Sequence, residues 1–108
     1  MKTFDDVVNR DFMEKYGWQI DDGYGVIGED GRVNYDKLRN VFNAFDGANK
    51  PNQFIYALIH GRNSLISSWD CPAAFRGKED DIYALCLKRE SKWEDVIGSP
   101  VIKEGVLL

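Results

Sequence analysis

The spacing of apolar residues at the start of the chain predicts a helix. Between Phe4 and Tyr16 the apolar side chains recur mostly every three or four residues, so that they share one helical face. Thr3 stands at the N-cap position, and Gly17 is typical of the residue that follows a helix. The same spacing predicts a second helix of about eleven residues that begins after Asn34.

After Pro51 the pattern changes and favours strands. Residues 53–60 and residues 82–88 are apolar on both faces of an alternating pattern, which is typical of central strands that are covered on both sides. The sequence Gly61–Asn63 predicts a turn, after which residues 64–69 return beside the first of these strands. The C-terminal half therefore predicts a hairpin and at least one further strand.

Shorter elements are predicted around these segments. Turn signals indicate a small hairpin over residues 26–33 and a last small hairpin over residues 101–108. Ser91 is predicted to cap a short helix that ends at Gly98. Residues 70–81 contain proline, glycine and several charges, and are predicted to be an exposed loop.

The order of these elements predicts an α+β fold. We expect a single domain over residues 1–108, with the two N-terminal helices packed on an antiparallel sheet of three or more strands. A chain of 108 residues with 44% apolar and 30% charged side chains is ordinary for one such domain. It has no long apolar run and no apolar leader after its first residues. These features predict a cytoplasmic protein that does not contact membranes.

Charge and cysteine content narrow the class of partner. Fourteen basic against eighteen acidic side chains give a net charge of -4, and no lysine and arginine cluster forms a basic stripe. Proteins that bind duplex nucleic acid usually carry such a stripe, so we expect no nucleic-acid partner. Two cysteines are too few for a secreted disulfide scaffold.

Cys71 is the best candidate for a nucleophile, with His60, the single histidine, as its base. A nucleophile and its base must lie within hydrogen-bond reach, and the predicted hairpin places His60 near the turn and Cys71 beyond its far end. The other cysteine, Cys86, alternates within an apolar segment and is predicted to be buried. One histidine without a nearby cysteine or carboxylate pair predicts no metal site, and the absence of a phosphate-binding motif predicts no cofactor. We therefore expect that the chain is not an enzyme.

Three tryptophans are candidates for binding another protein and not for catalysis. Trp18, Trp69 and Trp93 each flank a predicted element and lie close to charged residues. Core tryptophan is the ordinary case, whereas exposed tryptophan indicates an interface, because tryptophan is enriched among the residues that dominate binding energy. We expect a contact surface on the predicted turn and long loop, formed by Arg62, Asn63, Trp69, Asp70, Arg76 and Lys78.

These features predict a small acidic protein-binding module. We expect it to occupy a protein partner with a basic surface, as an inhibitor, an immunity protein or a phage-type antagonist does. Two alternatives stay open: a small cysteine-dependent enzyme that uses Cys71, and a binder of a small anionic ligand through Arg62 and Arg76. Association of the chain with itself also stays open.

Overall fold

The chain folds as a set of helices. The structure, a computed structural model, describes residues 1–99. Within that range the only β pairing is a single antiparallel bridge between Ile27 and Val33, so the predicted α+β class and its sheet are wrong. The α-helices are α1 (Phe4–Val7), α2 (Arg10–Tyr16), α3 (Tyr35–Ala44), α4 (Pro51–His60), α5 (Glu79–Arg89) and α6 (Trp93–Ile97). Short 3-10 turns lie at Gly17–Gln19, Asp22–Tyr24, Arg62–Ser64 and Ala73–Phe75.

The segments predicted as central strands are the helices α4 and α5. A short helix that is buried on most sides distributes its apolar residues as evenly as a strand covered on both faces. Pro51 is the first residue of α4, where a missing N–H has no consequence. Three acidic residues occupy the first turn of α5, where the helix dipole favours negative charge. The predicted hairpin is therefore wrong, and Gly61 ends a helix instead of opening a turn between strands.

The predicted first helix is two helices that meet at Val8 and Asn9. Thr3 caps α1 as predicted: its Oγ1 accepts the Asp6 N–H at 3.1 Å, and the Asp6 carboxylate accepts the Thr3 N–H at 3.0 Å. Asn9 begins α2, since its Oδ1 accepts the Phe12 N–H at 3.0 Å. An asparagine within the helical pattern is thus a second N-cap.

The shorter predictions have mixed outcomes. The second predicted helix is confirmed as α3, and the Oδ1 of Asn34 caps it. The hairpin over residues 26–33 forms its turn but is reduced to one bridge. The predicted short helix is confirmed as α6, although Lys92 and not Ser91 precedes it, without a side-chain cap. The hairpin predicted over residues 101–108 lies outside the described residues.

Helix α4 is the centre of the fold, because it contributes to both apolar clusters. On one side Phe54 is fully buried, with its ring centroid 6.2 Å from that of Phe12 in α2 and 5.2 Å from that of Phe42 in α3. On the other side Tyr56 belongs to a second cluster formed mainly with α5 and α6. Because α4 packs against other helices on both sides, apolar residues occupy most of its circumference.

A carboxylate from α5 completes the start of α4. Lys50 at the N-cap position of α4 makes no side-chain cap. Asp80 supplies one from the neighbouring helix: its carboxylate accepts the Gln53 N–H at 2.7 Å and the Asn52 side-chain amide at 3.0 Å. Such a contact satisfies a free N–H of the first turn and suits the helix dipole. Asp80 thereby fixes the two helices relative to each other.

Two buried tyrosines tie other segments to the second cluster. The Tyr56 Oη accepts the Trp93 N–H at 3.0 Å, and the Tyr83 Oη accepts the Ile66 N–H at 2.8 Å. Their ring centroids lie 4.9 Å apart. The two hydroxyls therefore hold the start of α6 and the chain that follows α4.

We expect this buried cluster to make the protein sensitive to alkali. Burial raises the pKa of the Cys86 thiol and of the Tyr56 hydroxyl to about 12 each, from 9.0 and 10.0. The unfolded chain releases these protons at lower pH than the folded chain does. The stabilisation is therefore complete below about pH 9 and is lost as the pH rises towards 12. Urea unfolding in reducing buffer should show a loss of about 2 kcal/mol between about pH 8 and pH 10.

The variant Cys86→Ala removes one of the two groups and is the control for this prediction. Its stability should fall by clearly less than half as much over the same pH range, because the thiol, with the lower ordinary pKa of 9.0, causes most of the loss below about pH 10. Equal pH dependence in the two proteins would show that the buried thiol is not responsible.

Candidate functional site

Trp69 lies in a turn between α4 and α5 and is 80% exposed. The turn, residues 67–70, is closed by a hydrogen bond from the Asp70 N–H to the Ser67 carbonyl at 3.0 Å. We call these four residues the Trp69 turn. The indole ring of Trp69 belongs to neither apolar cluster and is available for contact with another molecule.

Both sides of the Trp69 turn are fastened to the second cluster. Before the turn, the Ile66 N–H donates to the Tyr83 hydroxyl. After the turn, Cys71 and Phe75 are only 2% and 5% exposed. The prediction that residues 70–81 are an exposed loop is therefore wrong at these two residues. It is also wrong at residues 79–81, which belong to α5. The turn is therefore presented on a fixed base.

All six residues predicted to form the contact surface are exposed: Arg62, Asn63, Trp69, Asp70, Arg76 and Lys78. The structure brings two of them together, because Arg62 and Asn63 line an open cleft of about 540 Å³ with Asp21 and Tyr24. The other four are not among the residues that line this cleft; they lie in the Trp69 turn or follow it. The predicted surface is thus two neighbouring stretches of chain and not one cleft.

The cleft carries charges of both signs. The Arg62 guanidinium carbon lies 5.9 Å from the ring centroid of Phe45. Burial raises the pKa of Tyr24, as does the negative charge of Asp21, whereas the positive charge of Arg62 lowers it. Both charges therefore act on the same phenol. Since Arg76 does not line the cleft, an anion site built on two arginines has no support here.

The Cys71 thiol has the opposite properties from those of a nucleophile. Burial raises its pKa, and the negative charge of Glu79 raises it further. A reactive cysteine needs a lowered pKa and access to solvent. Cys71 is therefore placed as a core residue of the second cluster.

His60 shares a hollow with Cys86 and not with Cys71. Burial lowers the pKa of His60, with a contribution from the positive charge of Lys92. Burial also raises the pKa of Cys86, which is buried as predicted. A thiol with a raised pKa is not the thiolate that a nucleophile requires, so Cys86 beside His60 is not an activated nucleophile. The strand prediction for residues 82–88 concealed this pairing.

A second exposed tryptophan borders the same hollow. Trp18 is 80% exposed and lies in the 3-10 turn directly after α2. The hollow has a volume of about 190 Å³. It is lined by Lys15, Tyr16, Trp18, Gln19, Ile59, His60, Cys86, Leu87 and Glu90. The position of Trp18 beyond Gly17, outside the apolar stripe of the helix, is the sequence signal that distinguishes it from a core tryptophan.

Trp93, in contrast, has a structural role. Its side chain is partly buried, and its indole N–H donates to the Ser64 carbonyl. Its backbone N–H donates to the Tyr56 hydroxyl. This tryptophan therefore fastens α6 to the segment that follows α4.

Other kinds of site find no support in the part of the chain that the structure describes. Among residues 1–99, no group of three or more histidine, cysteine, aspartate or glutamate side chains is placed to hold a metal ion. No helix in that range has the length and apolar character needed to cross a membrane. Comparisons with protein-family models, curated proteins and solved structures found no match. What the chain does must therefore be inferred from its own surface.

Proposed function

We propose that this chain is a small protein-binding module and that the Trp69 turn is its main contact. The observation that carries this proposal is the 80% exposure of Trp69 on a turn that is anchored on both sides. Tryptophan is enriched among interface residues that contribute most of the binding energy. A turn that is already fixed loses little conformational entropy on binding, which favours affinity.

The charges of the chain support a partner with a basic surface. A net charge of -4 attracts such a partner at long range and raises the association rate at low salt. Asp70 in the Trp69 turn, and Arg76 and Lys78 further along the chain, are exposed and offer charges of both signs for orienting contacts. A module of this kind acts by occupying its partner, in the manner of an inhibitor, an immunity protein or a phage-type antagonist.

The two other functions have weaker support. Cys71 is 2% exposed, and burial raises the pKa of its thiol, which disfavours a cysteine-dependent enzyme. Arg62 lies in a cleft with the carboxylate of Asp21, and Arg76 does not line that cleft, which disfavours a site for a small anion.

The variant Trp69→Ala tests the proposal. We expect it to weaken partner binding by about 2 kcal/mol, because truncation removes the one large apolar group of the Trp69 turn. The tagged chain would first capture its partner from a lysate of source cells at physiological salt. The affinity of the purified partner would then be measured by titration calorimetry with the wild type and with each variant.

Trp18→Ala is the matched control, since Trp18 is equally exposed at 80% but lies at a different surface. We expect it to keep the affinity of the wild type. Both variants should keep the free energy of unfolding of the wild type, measured in urea, to within about 0.5 kcal/mol, because neither ring is buried. Equal binding by wild type and Trp69→Ala would contradict the proposed contact, and failure of the folded wild type to bind any protein would contradict the function.

A further inference from the structure

We propose that the chain also forms a weak two-fold symmetric dimer, in which the hollow beside Trp18 receives a second copy of the chain. This inference does not depend on the proposed function, because it concerns a different surface and a different partner. It follows from two features of the hollow: a projecting ring beside a recess, and exposed side chains of opposite charge at its edge.

The first feature is that one patch carries both a projecting ring and a recess. Trp18 is 80% exposed and borders a hollow of about 190 Å³, whose other walls include the apolar side chains of Ile59 and Leu87. A cavity of about 150 Å³ is large enough for a benzene ring. The hollow therefore has room for the six-membered ring of an indole. In a two-fold interface each patch meets its own copy, so that each Trp18 enters the hollow of the other chain.

The second feature is the charge of the patch, which suits a second copy better than another partner. Lys15 and Glu90 are both exposed, and both line the hollow. A strongly acidic or strongly basic partner is repelled by one of these two charges. A second copy related by a two-fold axis presents Glu90 to Lys15 and Lys15 to Glu90. The same contact is thereby made twice.

The dimer is expected to be weak. A stable interface buries about 800 Å² on each partner, and a single indole supplies only about 150–250 Å² of that area. Each copy also carries a net charge of -4, which opposes association at low salt. We therefore expect a dissociation constant of about 100 μM in buffer of physiological ionic strength.

Sedimentation equilibrium of the full chain tests this proposal, at concentrations from about 10 μM to about 1 mM. We expect a monomer–dimer equilibrium that Trp18→Ala weakens about tenfold or more. Trp69→Ala should leave the equilibrium unchanged, so that failure of the dimer and failure of the Trp69 contact are distinguished. The urea midpoint of each variant confirms that it is folded.

Charge reversal tests the pairing itself. Lys15→Glu should weaken the dimer, and the double variant Lys15→Glu/Glu90→Lys should restore it at the net charge of the wild type. Lys88→Glu is the control, because it changes the net charge equally but does not line the hollow. A chain that stays monomeric at the highest concentration overturns the proposal. So does a dimer that Trp18→Ala leaves intact, or one that the double variant does not restore relative to Lys15→Glu.

Discussion

Replacing Gly47 with alanine is expected to destabilise the fold by about 3 kcal/mol, although the change adds a single methyl group. A Cβ at this position would lie 2.8 Å from the Cγ of Phe42 and closer still to two other carbons of that ring. Phe42 is 3% exposed and cannot turn outward without leaving the apolar cluster that it forms with Phe12 and Phe54. The Gly47 N–H also donates to the Phe42 carbonyl at 2.8 Å, which holds the two backbones together. Urea unfolding measures the loss.

Gly98→Ala is the matched control for this variant. Gly98 has φ -73°, which any residue adopts, and the nearest atom to an added Cβ is a backbone oxygen at 3.5 Å. We expect its effect to be about 0.5 kcal/mol or less. Equal unfolding midpoints for the two variants would show that the Phe42 ring moves aside without cost.

Phe54→Ala is expected to cost about 4 kcal/mol, because it removes the ring that joins three helices. Phe54 in α4 is 0% exposed and contacts Phe12 of α2 and Phe42 of α3. Its loss leaves a cavity between elements that cannot all close on it, and this cavity adds to the lost burial of the ring. Urea unfolding again measures the difference.

Phe54→Leu is the control, since leucine keeps part of the volume and all of the apolar character of the site. We expect it to cost about half as much as the alanine variant. If the two variants were equally destabilised, the aromatic contacts and not the filled volume would account for the loss.

The sequence predicts the N-terminal half of the fold better than the C-terminal half, for a physical reason. In the first half, Thr3 and Asn34 cap helices that are buried on one side only, so the apolar residues keep their helical period. In the second half, α4 is covered by helices on two sides, and the period disappears. The signals at the helix ends remain, such as Pro51 at the start of α4, and they indicate helices where alternation indicates strands.

The candidate site is predictable only where the chain itself determines exposure. Trp69 is flanked by polar residues and by Pro72, and its exposed position follows from that local composition. Cys71 lies two positions further on in the same polar segment, yet it is buried because α5 packs over it. Trp18 is exposed because no helix in the described residues covers the end of α2 at that point. Burial that depends on packing against a distant helix cannot be predicted from the residues next to a position in the sequence.

The hydrogen bonds of Asp80 bear on the order in which the chain acquires its structure. The backbone N–H of Gln53 donates to the carboxylate of Asp80, which follows it by 27 residues. A ribosome therefore synthesises all of α4 before the group that completes its first turn has been made. The first turn of α4 and the first turn of α5 consequently form together and open together, and hydrogen exchange at Gln53 reports the departure of a helix that is distant in the chain.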